Sequence, residues 1–487
     1  MKKIISPLLT ALLVSSCTVG PDYIQPTIIT PKDYKEANTQ WKRAQPRDMQ
    51  SRGAWWDVFN DKQLNTLQQQ LTRSNQTIMS AIANYQQASA LIDEAKAAYF
   101  PVVSASASLD RTRDTMADTG SQTNTSSLSN NKELSNSNLI GLNASWVPDI
   151  WGAVRRQVEE YSAGAQASDA LLAATTLSTQ ASLAQYYFEL RALDTDQILL
   201  DKIALSYEKL LNYTQNQYKA GIVYQGDVLS AQAQWDSARA LAINNGILRA
   251  QYEHAIAVLV GQMPADFSLA AHPLFSIKAP DIPLSMPSTL LERRPDIAQA
   301  ERLMAEANAQ ISVAVSAYYP SLTLSAIGQI PGENFSHWFS LPNLYWSIGP
   351  QLAETLYDGG LRDATVAASK AGYIAAVANY RQTVLSAFQE VEDALVSINL
   401  LQAQGERLDE ASSLAHKALQ LTSNQYEAGI VDKATVVTYE IAALTAEQNA
   451  LDLVGEQLVS SVNLVTALGG GWDAKTYFSR EEYEQAP

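Results

Sequence analysis

The stretch Asn216-Gln217-Tyr218-Lys219-Ala220-Gly221-Ile222-Val223 returns 208 residues later as Asn424-Gln425-Tyr426-Glu427-Ala428-Gly429-Ile430-Val431, identical at seven of eight positions. The offset holds without a gap from Tyr218/Tyr426 through Leu229/Val437 to Gly261/Gly469, so the chain carries an internal duplication. Each copy closes a long Ala/Leu/Gln-rich segment with Gly and β-branched residues, then restarts an apolar periodic segment. That pattern reads as a helix, a Gly-capped turn and a second helix, which makes each copy the tip of a helical hairpin.

Helical stretches of roughly 152–220 and 361–427 lead into the tips, and 226–260 and 432–468 lead back. Val437, Leu444, Leu451, Leu458 and Val465 recur at strict sevens, while Val384, Phe388, Val391, Leu395 and Ile398 step by four and three. Both are coiled-coil patterns. Upstream, Trp55-Trp56-Asp57-Val58-Phe59 starts the fold, and one helical pattern runs from about Lys62 to Tyr99 until Pro101 stops it.

Beyond Pro101 the period becomes two. Val103, Ala105, Ala107 and Leu109 alternate with Ser104, Ser106, Ser108 and Asp110, and after a polar run at 118–137, Ile140, Leu142, Ala144 and Trp146 alternate with Gly141, Asn143 and Ser145. This is a strand hairpin with one apolar and one polar face. Ala98-Tyr99-Phe100-Pro101 matches Ala317-Tyr318-Tyr319-Pro320 at an offset of 219, and the second copy repeats the alternation at Leu322, Leu324, Ala326 and Ile330 and at Leu344, Trp346, Ile348 and Leu352. The fall from 219 to 208 leaves eleven extra residues in the first copy, which the polar run accommodates.

The expected organisation is therefore a first repeat at 61–262, with strands about 101–117 and 138–149 and a tip near Gly221, and a second repeat at 290–471, with strands about 319–331 and 343–355 and a tip near Gly429. A Pro-punctuated equatorial connector occupies 263–289, and a tail 472–487. Leu290-Leu291-Glu292-Arg293-Arg294-Pro295-Asp296 restarts helix, with Pro295 in the first turn and Asp296 favourable to the dipole.

Lys2-Lys3, the apolar run Ile4–Val14 and Ser15-Ser16-Cys17 form a secretory signal at 1–16, too short to span a membrane as a helix. Leu13-Val14-Ser15-Ser16-Cys17 resembles a bacterial lipobox, which implies cleavage before Cys17 and a covalent lipid on it; a buried cysteine in a signal remnant is the plain alternative. Thr18 in place of Asp resembles the sorting signal for the outer membrane. Residues 17–60 then form a Pro-bearing arm between anchor and body. Cys17 is the only cysteine, so no intramolecular disulfide or Cys-based metal site exists. Removing 1–16 deletes two lysines and no acid, taking the net charge from −16 to −18 and arguing against a nucleic-acid partner.

Enzyme readings find little footing. His254, His272, His337 and His416 are scattered without metal-ligand spacing, Gly469-Gly470-Gly471 reads as a helix stop rather than a phosphate loop, and Glu390, Glu392 and Asp393 read as a solvated helix face. No metal or other cofactor is expected.

Four strands cannot close a membrane barrel, since the smallest have about eight, and an open sheet in lipid leaves unsatisfied edges. Three copies supply twelve strands and a hollow interior. The expected fold is mainly α with a transmembrane β-barrel: a duplicated strand-hairpin and long-helix repeat, forming a homotrimeric twelve-stranded barrel that continues into a periplasmic helical coiled-coil barrel.

The chain resembles the TolC family of outer membrane efflux factors, in its lipoprotein branch. The resemblance rests on Trp55-Trp56 with Phe59, Trp151-Gly152 followed by Arg155-Arg156, Glu292-Arg293-Arg294-Pro295-Asp296-Ile297, Asp358-Gly359-Gly360 and the two Tyr-x-Ala-Gly tips. It implies an exit duct in the outer membrane of a Gram-negative bacterium, passing drugs or other small toxic compounds from an inner membrane pump and a periplasmic adaptor. Alternatives are a trimeric spacer lipoprotein without a conduit and the exit duct of a type I protein secretion system. By resemblance, the adaptor docks on Ala220, Gly221, Ile222, Ala428, Gly429 and Ile430.

In TolC itself the helix after the second tip carries two inward carboxylates three residues apart. Counting from the tip glycine places Thr435 and Thr438 there, a departure from the pattern; the first-copy equivalents are Asp227 and Ser230. Asp227 either lends the constriction its acidic character or caps the restarting helix, and the two roles are compatible. Asp432 and Lys433 complete the constriction candidates, as an inter-subunit ion pair.

Overall fold

The computed structural model describes residues 18–27, 34–36, 54–113, 134–273, 280, 294–332 and 344–470. Cys17 with the signal before it, much of the connector, His337 and the tail lie outside these residues.

After a 3-10 turn at Trp55–Phe59, the first copy runs α1 (Lys62–Ser74), α2 (Gln76–Ala97), β1 (Val102–Arg113), β2 (Leu134–Trp146), α3 (Ala153–Lys219) and α4 (Gln225–Leu259). The second runs α5 (Pro295–Ser316), β3 (Ser321–Gly332), β4 (Tyr345–Ala353), α6 (Leu361–Glu427) and α7 (Lys433–Ala467). The helices match in length: 22 residues each for α2 and α5, 67 each for α3 and α6, 35 each for α4 and α7. At 1.5 Å per residue, α3 and α6 are each about 100 Å long. The length difference between the copies therefore sits in the first strand hairpin and the turn that follows it.

Contacts divide the chain into two units, Met1–Gln25, Gln87–Ala165 and Arg302–Val377 against Pro26–Gln86, Gln166–Glu301 and Ala378–Pro487. The first unit holds one antiparallel sheet in the order β1-β2-β3-β4. Its register lines up like with like: Val103 faces Ala144, Ala144 faces Ala326, and Ala326 faces Ile348. One pleat away, Ser104 faces Asn143, while Ser145 faces Ser325. Because side chains alternate along every strand, one apolar face runs unbroken over all four strands. It stays bare within the chain, with Leu142, Trp346, Leu352 and Ile348 between 59% and 75% exposed.

The segment after Cys17 is docked in the same unit. Val19 N–H donates to Trp151 O at 3.1 Å, Asn308 and Ser312 side chains donate to Pro21 O, and Arg156 pairs with Asp22 at 2.6 Å.

The second unit buries the core: Trp56, Phe59, Leu64, Leu71 and Ile78 pack with Leu172, Leu183, Phe188, Ile256, Leu458 and Val462. The single helix expected from Lys62 to Tyr99 is instead broken at Asn75, and the cause is a neighbouring helix end. Asn75 Nδ2 donates to Leu259 O and Ser74 Oγ to Val260 O, closing the last carbonyls of α4, while Asn75 Oδ1 accepts from Thr77 and Ile78 N–H at the start of α2. The second copy repeats the device with a different residue. Arg294 stands before α5 as Asn75 stands before α2, and its guanidinium donates to Ala467 O, the counterpart of Leu259 O, while gripping Asp296 and Glu390. The Arg294-Pro295-Asp296 motif is thus a helix start with an ion pair.

Glu390 keeps the exposed position expected of a solvated face even though it pairs with Arg294, whereas Glu392 is half-buried. Glu392 accepts the backbone N–H groups of Lys35 and Glu36 at 2.8 and 2.9 Å, beside Tyr34 packed on Phe388. Asp393 is exposed like Glu390, and holds Gln389 at 3.3 Å.

A buried ionic knot binds the connector to the helices. Asp194 accepts from Arg191, Arg249 and the His272 N–H, while Arg191 and Arg249 donate to Ala270 O and Leu269 O. Arg191 and Asp194 side chains are each 1% exposed, so removing one partner strands a charge away from water. Asp194→Ala is expected to cost about 3–5 kcal/mol, seen as a lower guanidinium midpoint in detergent; a midpoint equal to the parent's contradicts the assignment.

Candidate functional site

The two hairpin tips are built alike. At the first, Gly221 N–H donates to Tyr218 O and Ile222 N–H to Gln217 O; at the second, Gly429 N–H donates to Tyr426 O and Ile430 N–H to Gln425 O. These are paired 5→2 and 6→1 bonds of a helix end closed by a left-handed residue. Gly221 and Gly429 take φ of +73° and +71°, and nothing stands within 4 Å of where a Cβ would sit. Glycine is required there by backbone conformation, not by crowding. Ala220 and Ala428 are exposed, and Ile222 and Ile430, 69% and 72% exposed, leave the tips apolar and open.

The helices that restart after the turns show a reciprocal arrangement. In the first copy Asp227 reaches back to accept the Tyr224 N–H at 3.0 Å. In the second the carboxylate sits three residues earlier: Asp432 reaches forward to accept from Thr435 N–H at 2.8 Å and from its hydroxyl at 2.6 Å. Tyr224 aligns with Asp432 and Asp227 with Thr435, so the two copies carry opposite halves of a capping box. Each tip thereby places one carboxylate at the positive end of a returning helix. The hydroxyl and N–H of Thr435 hold the Asp432 carboxyl below the ordinary range.

Asp227, Ser230, Asp432 and Thr438 are exposed, while Thr435 is half-buried. Thr438 turns its hydroxyl to Ala434 O. Asp432 spends its carboxylate on its own helix, and Lys433 lies over the Tyr426 ring at 5.1 Å, so within the chain these neighbours do not form an ion pair with each other.

Below the tips, α7 is wedged against both long helices. Lys209 of α3 pairs with Glu440, His416 of α6 with Glu447, and the Gln457 amide donates to Leu401 O. Gly455 lies so near Ala192 that a Cβ would come within 2.9 Å of its methyl. Of the heptad residues, Val437 and Leu458 are fully buried, as are Val384, Val391 and Leu395 to 2% exposure or less.

This interface also contains a proton-holding carboxyl, Asp196, that heptad reasoning missed. Burial, reinforced by Asp452 across on α7, pushes the Asp196 carboxyl up to about 8. Burial alone raises Asp169, also on α3, to about 6. The only sequence signal is an acid at a position the coil turns inward.

The chain thus combines a four-stranded sheet with a bare apolar face and long paired helices ending in open apolar turns. No described helix is long and apolar enough to cross a membrane. The family model described as outer membrane efflux protein matches residues 67–262 and 286–470, one block for each copy of the duplication, and the chain belongs to that family.

The toluene efflux pump outer membrane protein TtgC of Pseudomonas putida is 28% identical over 479 residues, covering 98% of this chain and 97% of that protein. The cation efflux system protein CusC of Escherichia coli is 26% identical over 476 residues, covering 96% and 98%. Among solved structures, the outer-membrane channel OprN superposes with a TM-score of 0.81 at 29% identity, covering 94% of this chain and all of that one. The protein is accordingly an outer membrane efflux channel and not an enzyme.

The Asp196 shift fixes the sign of a pH effect. A carboxyl whose folded pKa is raised costs the folded state stability as pH climbs from its unfolded value, about 3.9, through the folded value near 8. Asp196→Asn is therefore expected to stabilise the protein most at pH 8.5 and to have no effect near pH 4. A parent-to-variant difference in guanidinium midpoint that stays flat across that range rules the pairing out.

Proposed function

We propose that the protein is the exit duct of a tripartite efflux system, working as a homotrimer with a periplasmic adaptor and an inner membrane pump. The observation that carries this reading is the sheet: an apolar face unbroken over four strands, with β1 and β4 lacking a strand partner on their outer sides among the described residues. In hydrocarbon every backbone group must be bonded, so β4 of one copy pairs with β1 of the next until the ring closes. Three copies give twelve strands with the polar rows, Ser104 and Asn143 among them, facing a water-filled lumen.

The tips then face the adaptor through Ala220, Gly221, Ile222, Ala428, Gly429 and Ile430. Their support is that two matching apolar turns stand open with room at each glycine. Cys17, lipidated after signal cleavage, adds an anchor in the outer membrane, and the docked Val19–Asp22 segment leads directly to it. The cargo is drugs or other small toxic compounds, with the pump making the choice: relatives sharing this architecture carry toluene in one name and cations in another. A spacer without a conduit has no use for an apolar strand face.

Gly221→Trp and Gly429→Trp are expected to abolish drug efflux in cells while trimer yield in detergent stays near that of the parent. Unchanged drug tolerance in both variants refutes tip docking. The Asp227 and Asp432 carboxylates, gathered about a threefold axis, favour cations at the duct mouth. In planar bilayers the parent protein is expected to give cation-selective conductance, and Asp227→Ala to reduce both selectivity and divalent-cation block. Selectivity and block equal to the parent's confine Asp227 to helix capping; no conductance at all removes the duct reading.

A further inference from the structure

The first unit contains a cavity of about 270 Å³ at the strand ends. Ile150, Trp151, Val154, Tyr319, Pro320 and Leu322 line it, with the Trp151 and Tyr319 rings 5.0 Å apart. Its main polar groups are already engaged. The Trp151 indole N–H donates to Pro320 O at 2.7 Å, and the two oxygens of Asp149 accept from Val154 and Arg155 N–H at 3.0 and 2.9 Å. The lining is mixed, and its apolar part, from Ile150, Val154, Pro320 and Leu322, offers contact that suits an acyl chain.

Position points the same way. β2 ends at Trp146, β3 begins at Ser321 and β4 ends at Ala353, so the walls are the residues just beyond the apolar face of the sheet. Trp and Tyr at that level mark the boundary between hydrocarbon and water in membrane barrels. A lipidated cysteine places its acyl chains at the same boundary.

The chain itself delivers the anchor there. Thr18 Cα lies 3.3 Å from where a Cβ on Gly152 would stand, and Val19 N–H is bonded to Trp151 O. Thr18, the residue that follows Cys17 in the chain, thus lies against Gly152, with the cavity walls Trp151 and Ala153 on either side of that glycine. A chain tethered so close meets the cavity at far higher effective concentration than free lipid does.

We infer that this cavity seats an acyl chain of the lipid on Cys17. The inference rests on the lipidation reading above. The anchor then packs as part of the junction between β2 and α3 instead of trailing from it, and the bonds of Val19, Pro21 and Asp22 to Trp151, Asn308, Ser312 and Arg156 hold the tether against Trp151, α3 and α5.

The test uses the full chain made in cells fed a palmitate analogue bearing a diazirine and an alkyne, irradiated and mapped by mass spectrometry. The expected result is label on Cys17 and cross-links to peptides containing Ile150–Val154 and Tyr319–Leu322. Those cross-links are lost in Cys17→Ser exported behind a signal that is cleaved without lipidation. Cross-links that persist in Cys17→Ser identify bulk membrane lipid as the occupant and overturn the inference. A labelled Cys17 whose cross-links fall elsewhere also overturns it while leaving lipidation intact, whereas an unlabelled Cys17 removes both readings.

Discussion

Hydrocarbon cannot hydrogen-bond a peptide group, and the rest of this structure follows from that constraint. A strand hairpin duplicated once gives four strands, whose inner pairs are satisfied and whose outer edges have no strand partner among the described residues. The apolar face suits the sheet to lipid, and the open edges are what the proposed trimer would close. Neither property is sufficient alone: a polar sheet with free edges belongs in water, and an apolar sheet with closed edges needs no partner.

Duplication of the helices solves a different problem, how to end and restart a chain of 67-residue helices without leaving backbone groups bare. Glycine in the left-handed region closes each tip, and one carboxylate opens each returning helix, placed on either side of the same turn in the two copies. At the far ends, Asn75 and Arg294 reach equivalent carbonyls with unlike side chains. The second copy thereby gains a charge-assisted bond, and with it an ion-pair set, Asp296 and Glu390, that the first copy lacks. Equivalent geometry has been kept while the chemistry that maintains it has drifted.

Much of this was legible in the amino-acid order. Period two along Val103–Leu109, period seven along Val437–Val465 and the repeated Tyr-x-Ala-Gly tips each report on groups close in sequence, where alternation and helical spacing act directly. The faces of the sheet, the long helices and the turns were therefore readable, along with the need for more than four strands. The eleven-residue difference between the copies was also traceable to the first hairpin, because an offset is a property of the string.

Contacts between distant segments were decided by the tertiary structure alone. Periodicity runs straight through Asn75, and only the carbonyls of Leu259 and Val260 lying alongside explain why the helix breaks there. Glu392 has the pattern of a solvated face, yet the Lys35–Glu36 backbone occupies it, while the exposed Glu390 is reached by Arg294 from a distant segment. Asp196 meets Asp452, and Asp194 gathers Arg191, Arg249 and His272, across separations that no local rule spans. A charged side chain looks the same in sequence whether it meets water or a buried partner, because the difference lies in the solvation it loses, and only packing sets that.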